Sequence, residues 1–104
     1  ATPTDAIPHL AELDVREEHD NAFAIELAKL HRAKGDRAAA RSSAERAVRM
    51  DPYDPAIREL AAAIAVEAGS LEAARVHLVA LKALEPGQQR HEQRLKRLDE
   101  LLAR

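Results

Sequence analysis

The sequence has no cysteine and no tryptophan, and only 2% of its 104 residues are aromatic, namely Phe23 and Tyr53. The lack of cysteine excludes thiol catalysis, disulfide bonds and cysteine-ligated zinc. A net charge of −2 excludes a chain-wide positive field, so we expect no nucleic-acid partner. The longest apolar run, residues 60–66, is far too short to cross a bilayer. We therefore expect no membrane insertion.

The hydrophobic content is 46%, which in a chain of this length suffices for one domain with its own core. No methionine and no signal peptide open the sequence, so we expect the C-terminal part of a larger protein. The preference for Ala and Arg over Lys favours a bacterial source. The compartment stays open: cytoplasmic by default, and periplasmic or otherwise extracytoplasmic if the parent protein carries a signal peptide.

Scarce residues recur at a fixed distance along the chain. Gly35 recurs as Gly69 and Pro52 recurs as Pro86, in both cases after 34 residues. The chain has only 3 glycines and 5 prolines, so a shared offset is a strong sign of an internal repeat.

Start and stop signals divide each repeat into two helices. Asp36, Asp54 and Ser70 precede apolar-periodic stretches, as N-cap residues do. Gly35 and Gly69 suit the left-handed conformation that often ends a helix. We therefore expect one all-α domain of about six helices over residues 1–104. Its parts are an N-terminal helix or arm (1–20), repeat one (21–54), repeat two (55–88) and a capping helix (89–104).

The repeat length, the two-helix unit and the turn residues resemble the tetratricopeptide repeat. The matching stretches of the first copy are Leu27-Ala28, His31, Gly35-Asp36, Ala40, Ala44, Ala47 and Asp51-Pro52. Those of the second copy are Ala61-Ala62, Ala65, Gly69, Ala74, Leu78, Leu81 and Glu85-Pro86. The resemblance implies a short α-solenoid of antiparallel helix pairs that ends in a capping helix. It also implies a scaffold or protein–protein interaction module.

The chain departs from the family at positions where large rings are usual. Ala24, Arg58 and Ala65 stand at such positions, so the resemblance implies a thin, aliphatic core in which alanine mediates close contacts. The expected core side chains are Leu27, Leu30, Leu60, Ile64, Leu78 and Leu81.

In this family the first helices of the repeats form a concave groove that holds a peptide or a partner helix. Carried onto this sequence, the groove residues are Ala22, Ile25, Lys29, Arg32, Ala56, Glu59, Ala63 and Val66. Chaperone-binding members grip a C-terminal carboxylate with a Lys/Asn/Arg set. Ile25, Glu59 and Ala63 occupy the corresponding positions here, so we do not expect this chain in that subfamily.

The five histidines form no HExxH motif and no i, i+4 pair, so we expect no metal site. We expect His31 in the core or at its boundary, and His91 facing water. The sequence contains no GxSxG elbow and no glycine-rich phosphate loop. It therefore predicts no catalytic residue, no cofactor and no enzymatic activity. The arginine-rich stretches alternate with acids and lack aromatic stacking platforms, which again disfavours nucleic acid.

Two functions remain open at this stage. The first is an interaction module that offers a shallow groove to a protein or peptide. The second is a structural cap or oligomerisation tail, without a ligand of its own, in a larger multidomain protein such as an extracytoplasmic peptidase-like enzyme. A homodimer is compatible with both.

Overall fold

The computed structural model describes residues 21–104, which form five α-helices. They are α1 (Asn21–Lys34), α2 (Arg37–Met50), α3 (Pro55–Glu67), α4 (Leu71–Leu84) and α5 (Gln89–Leu102). The predicted all-α architecture of helix pairs is confirmed. The helix or arm expected in residues 1–20 lies outside the described residues. None of the described helices combines the length and the apolar character needed to span a membrane.

The two inter-helix glycines act as the sequence predicts. Gly35 has φ 87° and Gly69 has φ 75°, a conformation that strains residues with a Cβ. After Gly35, the Asp36 N–H donates to the carbonyl of His31 at 2.9 Å, and the corresponding bond after Gly69 is 2.8 Å long. These bonds satisfy carbonyls at the helix ends and turn the chain back on itself.

Two of the three predicted caps form as expected. Asp36 Oδ1 accepts a hydrogen bond from the Ala39 amide at 3.2 Å, and Asp54 Oδ1 accepts one from the Ala56 amide at 2.9 Å. Ser70 stands at the N-cap of α4, but its side chain makes no capping bond. The prediction that the Ser70 side chain caps α4 is therefore wrong, although the helix begins directly after Ser70, as the sequence predicts.

Each helix packs on the next along the chain, α1 on α2, α2 on α3, α3 on α4 and α4 on α5. This nearest-neighbour packing is typical of a solenoid. The buried side chains form two clusters. The first holds Ala24, Ala28, Ala40, Ala44, Ala47, Val48, Ile57, Ala61 and Ile64. The second holds Ala62, Ala65, Ala74, Leu78, Leu81, Leu95 and Leu98.

The predicted thin, aliphatic core agrees with these clusters, in which alanine is the commonest residue. Buried members of the predicted core are Leu27, Ile64, Leu78 and Leu81. Leu30 and Leu60 are only half-buried. Small side chains let the backbones of successive helices approach closely, so that long side chains of the first helices α1, α3 and α5 can reach one another.

Candidate interaction face

The eight residues predicted for the groove, here called the groove face, form matching stripes on α1 and α3. Within each helix they follow i, i+3, i+7 and i+10 spacing, which keeps them on one side. Exposed members are Ala22, Lys29, Arg32, Ala56 and Val66, and half-buried members are Ile25, Glu59 and Ala63. The structure thus leaves all eight accessible from solvent. Their role in binding stays a prediction.

A bidentate ion pair joins the two stripes at one end. Arg32 Nη2 donates to Glu67 Oε2 at 2.6 Å, and Arg32 Nε donates to Glu67 Oε1 at 2.9 Å. These hydrogen bonds lower the pKa of Glu67 and raise the pKa of Arg32. Of the two cations predicted for the groove, Arg32 is therefore engaged by the protein itself. Lys29 makes no ion pair within residues 21–104.

The Arg32–Glu67 pair has a pH dependence of known sign. Because the pKa of Glu67 is lowered by folding, its stabilising effect is present above the unfolded pKa and is lost as the pH falls through the folded one. Both side chains are more than 40% exposed, with values of 41% and 43%, so solvent screens the pair strongly. We expect Glu67→Gln to lower the free energy of unfolding at pH 7 by less than about 1 kcal/mol.

Below about pH 4 the difference between Glu67→Gln and the parent should shrink toward zero, because Glu67 becomes protonated in both states. Urea unfolding at several pH values measures this. Glu26→Gln on α1 is the control, since Glu26 is exposed and makes no ion pair within residues 21–104. An equal loss for both variants at every pH would contradict the assignment.

A second ion pair joins α3 to α5. Arg94 Nη1 donates to both carboxylate oxygens of Glu59 at 3.0 Å, and Arg90 Nη2 lies 3.5 Å from Glu59 Oε1. Glu59 was predicted as a groove residue, and the structure shows that arginines of α5 neutralise it. The first helices α1, α3 and α5 are thus bridged one to the next on this side of the protein.

Residues 89–104 were predicted to form a capping helix, and none of them was predicted for the groove. Arg94 instead turns toward α3 and is half-buried. Arg97 is exposed, and it stands 34 residues after Ala63 and 68 after Lys29. Extending the repeat offset by one more unit would therefore have added Arg97 to the stripe.

The expectation that His91 faces water is wrong, because its side chain is completely buried. His91 stands 34 residues after Ile57, and both occupy the same inward-facing position of a first helix. His91 Nε2 donates to Glu85 Oε1 at 2.8 Å. Its Nδ1 lies 3.7 Å from Glu59 Oε1 and has no hydrogen-bond partner.

Three of these groups are close enough to be considered for a metal. Glu59, Glu85 and His91 each offer one ligand atom, and these atoms lie within 4.8 Å of one another. Both carboxylates, however, already face guanidinium groups, since Arg94 donates to Glu59 and Arg90 lies 3.5 Å from Glu59 and 3.9 Å from Glu85. A cation would have to displace these arginines. The expected absence of a metal stays a prediction.

A further buried histidine ties three helices together. His77 is 2% exposed, and its Nδ1 lies 3.0 Å from Arg58 Nη1. Since a guanidinium can only donate, Nδ1 is the acceptor and the ring proton lies on Nε2. His77 Nε2 then donates to Glu45 Oε1 at 2.6 Å, while Arg58 Nε donates to the Pro52 carbonyl at 2.9 Å. The network connects α2, α3 and α4.

Comparison with known proteins agrees with this architecture. Residues 21–64 match the family model of the tetratricopeptide repeat. A solved structure of the first such domain of Spaghetti (RPAP3), bound to the HSP90 peptide SRMEEVD, superimposes with a TM-score of 0.74 at 18% identity, covering 98% of this chain and 83% of that one.

Two further solved structures are also similar. The Yersinia enterocolitica type III secretion translocator chaperone SycD gives a TM-score of 0.70 at 23% identity, over 97% of this chain and 70% of that one. The structure of PcrH in complex with the chaperone binding region of PopD gives a TM-score of 0.69 at 23% identity, covering 97% of this chain and 76% of that one. At these identities the similarity concerns the fold. No curated protein sequence matches the chain significantly.

Proposed function

We propose that the chain is a protein-interaction module that binds a peptide segment of a partner. Residues 21–64 match the family model of the tetratricopeptide repeat, and the described helices share its fold. The observation that carries this proposal is the groove face, an accessible surface made by equivalent residues of successive first helices. Structures of the same fold have been solved with an HSP90 peptide and with a peptide of the translocator YopD.

The groove face combines apolar side chains with one positive charge that is available to a ligand. Ile25 is half-buried and packs against the first core cluster, while Ala63 and Val66 continue the apolar surface on α3. Lys29 supplies a positive charge without a partner in residues 21–104. Both α1 and α3 pack on α2, and the Arg32–Glu67 pair links their exposed sides, so the two stripes keep a fixed relative position.

A random peptide library displayed on phage, selected on the immobilised chain, tests this proposal. We expect enriched peptides whose binding, measured by fluorescence anisotropy, weakens at least about fivefold in Lys29→Glu, a loss of about 1 kcal/mol. Lys34→Glu makes the same charge change on α1 about 140° around the helix and should leave affinity unchanged. Both positions are exposed, so neither variant should change the melting temperature.

Enrichment of no peptide, or equal affinity of the parent and Lys29→Glu, would contradict the groove face as a binding site. A stable dimer in sedimentation, without any peptide binding, would favour the alternative of an oligomerisation tail. That the chain is the C-terminal part of a larger bacterial protein stays a prediction, and the proposal assigns the chain no catalysis.

A further inference from the structure

The two junctions between first helices differ at equivalent positions. Between α1 and α3, Arg32 and Glu67 close the junction with their bidentate ion pair. The residues 34 positions later are Val66 and Leu101, at the junction of α3 and α5. These two apolar side chains are 50% and 43% exposed. The second junction therefore lacks the ionic closure of the first and presents hydrocarbon to water.

An apolar cleft opens at this second junction. Its volume is about 180 Å³, slightly more than the roughly 150 Å³ cavity that holds benzene in another protein. Val66 and Leu101 stand at its exposed edge, and the buried or half-buried wall residues are Ala62, Leu71, Leu78 and Leu98. The cleft therefore has room for one aliphatic side chain.

Positive charge flanks the cleft. Arg94 and Arg97 both line it, and Arg94 is already engaged by Glu59. Arg97 is exposed and makes no ion pair within residues 21–104. Lys29, at the equivalent position of α1, is also without an ion pair there. The equivalent positions of α1, α3 and α5 thus read cation, alanine and cation, with Ala63 in the middle.

We infer that the cleft between α3 and α5 takes an aliphatic side chain from an internal segment of a partner protein, and that acidic residues flank this side chain. The inference rests on the proposed function and specifies its ligand. A carboxylate next to the aliphatic residue pairs with Arg97, and a second one reaches Lys29. Both charges meet opposite charges, and the exposed surface of Val66 and Leu101 leaves water.

The spacing of the ligand follows from the geometry. Side-chain ion pairs link α1 to α3 and α3 to α5. Helices whose side chains are in contact lie roughly 10 Å apart, so α1 and α5 are separated by roughly 20 Å. An extended peptide rises about 3.3 Å per residue, so about five or six residues separate the two carboxylates. The protein has no clamp for a C-terminal carboxylate, since Ile25, Glu59 and Ala63 occupy the positions where its residues would be expected. The ligand is therefore an internal segment.

The test uses the full chain and a fluorescein-labelled, C-terminally amidated peptide of about nine residues. It carries one leucine beside a glutamate, a second glutamate about six positions away, and serine elsewhere. We expect binding that weakens at least about tenfold when the leucine becomes serine or both glutamates become glutamine. Binding should also weaken as salt is raised, since the paired charges are close to solvent.

A double variant closes the cleft by copying the first junction. Val66→Arg with Leu101→Glu places at the second junction the pair that Arg32 and Glu67 form at the first. Both positions are exposed, so the fold should be retained, as circular dichroism can verify. We expect the peptide to bind at least about tenfold more weakly to this variant. Arg97→Glu should have a similar effect, whereas Lys96→Glu, the neighbouring exposed cation, should have none.

Unchanged affinity in both the double variant and Arg97→Glu would overturn the inference. If the binding of library peptides nevertheless depended on Lys29, the proposed peptide-binding function would stand and only the inference about the cleft would fail. Two further results would also overturn it. One is binding that appears only when the same peptide is made with a free C-terminal carboxylate in place of the amide. The other is a dimer in sedimentation that the double variant disperses, because a second copy of the chain would then be the occupant.

Discussion

Replacing Leu81 by alanine is expected to lower the free energy of unfolding by about 2–5 kcal/mol. Leu81 is fully buried in the second core cluster, where Ala62, Ala65 and Ala74 are among its neighbours. These alanines have no alternative rotamers with which to fill a cavity, whereas Leu78, Leu95 and Leu98 of the same cluster can repack in part, so the cost should lie near the middle of this range. Small domains are stable by only about 5–15 kcal/mol in total.

Urea unfolding followed by circular dichroism measures this effect, with Val79→Ala as the control. Val79 lies on the same helix and is 45% exposed, so its truncation should change stability by no more than about 0.5 kcal/mol. Because α5 packs mainly on α4, loosening α4 should also free α5 and weaken binding at the cleft. Equal losses for the two variants would contradict the assignment of Leu81 to the core.

Replacing His77 by leucine is expected to lower the free energy of unfolding by about 1–3 kcal/mol, although leucine fills nearly the same space. The cost arises because Arg58 loses its acceptor and Glu45 loses its donor at a site where His77 is 2% exposed. Water reaches Glu45 in part, since its side chain is 28% exposed, which keeps the cost below that of a fully buried charge.

A double-mutant cycle with Glu45→Gln separates the hydrogen bond from the packing of the ring. If His77 donates to Glu45, the sum of the losses in unfolding free energy of the two single variants should exceed the loss of the double variant by at least about 0.5 kcal/mol. Strict additivity would mean that the hydrogen bond contributes nothing and that only the packing of the ring matters. His31→Leu is a comparison outside this network, because His31 is half-buried and bonds neither Glu45 nor Arg58.

Local chemistry explains why so much of the helix arrangement was predictable. The helix α2 begins directly after Asp36, which the sequence predicts as its cap, and it ends at Met50, because Pro52 disfavours helical geometry in Asp51. Gly35 and Gly69 fix the turns through a conformation that other residues adopt only under strain. Each of these effects acts within a few residues of the chain, so the sequence alone reveals it.

The candidate site was predictable only in part. The stripes of α1 and α3 follow from helical spacing and the repeat offset, and their accessibility agrees with that reasoning. The engagement of Glu59 by Arg94 does not follow from it, because the two residues are 35 positions apart and meet only when α4 packs on both α3 and α5. The burial of His91 was missed because a histidine at the start of a charged helix is usually solvated.

The 34-residue offset and the scarcity of aromatic rings are enough to predict a helical solenoid with an aliphatic core. Scarce aromatic residues also remove the usual anchors of binding surfaces, which favours a modest, adaptable surface over a high-affinity site. The pairing of polar groups across helices becomes visible only once the helices are packed, as does the exposure of Val66 and Leu101 at positions equivalent to the Arg32–Glu67 ion pair. Turns and caps depend on residues close in sequence, whereas ion pairs and clefts depend on which faces of distant helices meet.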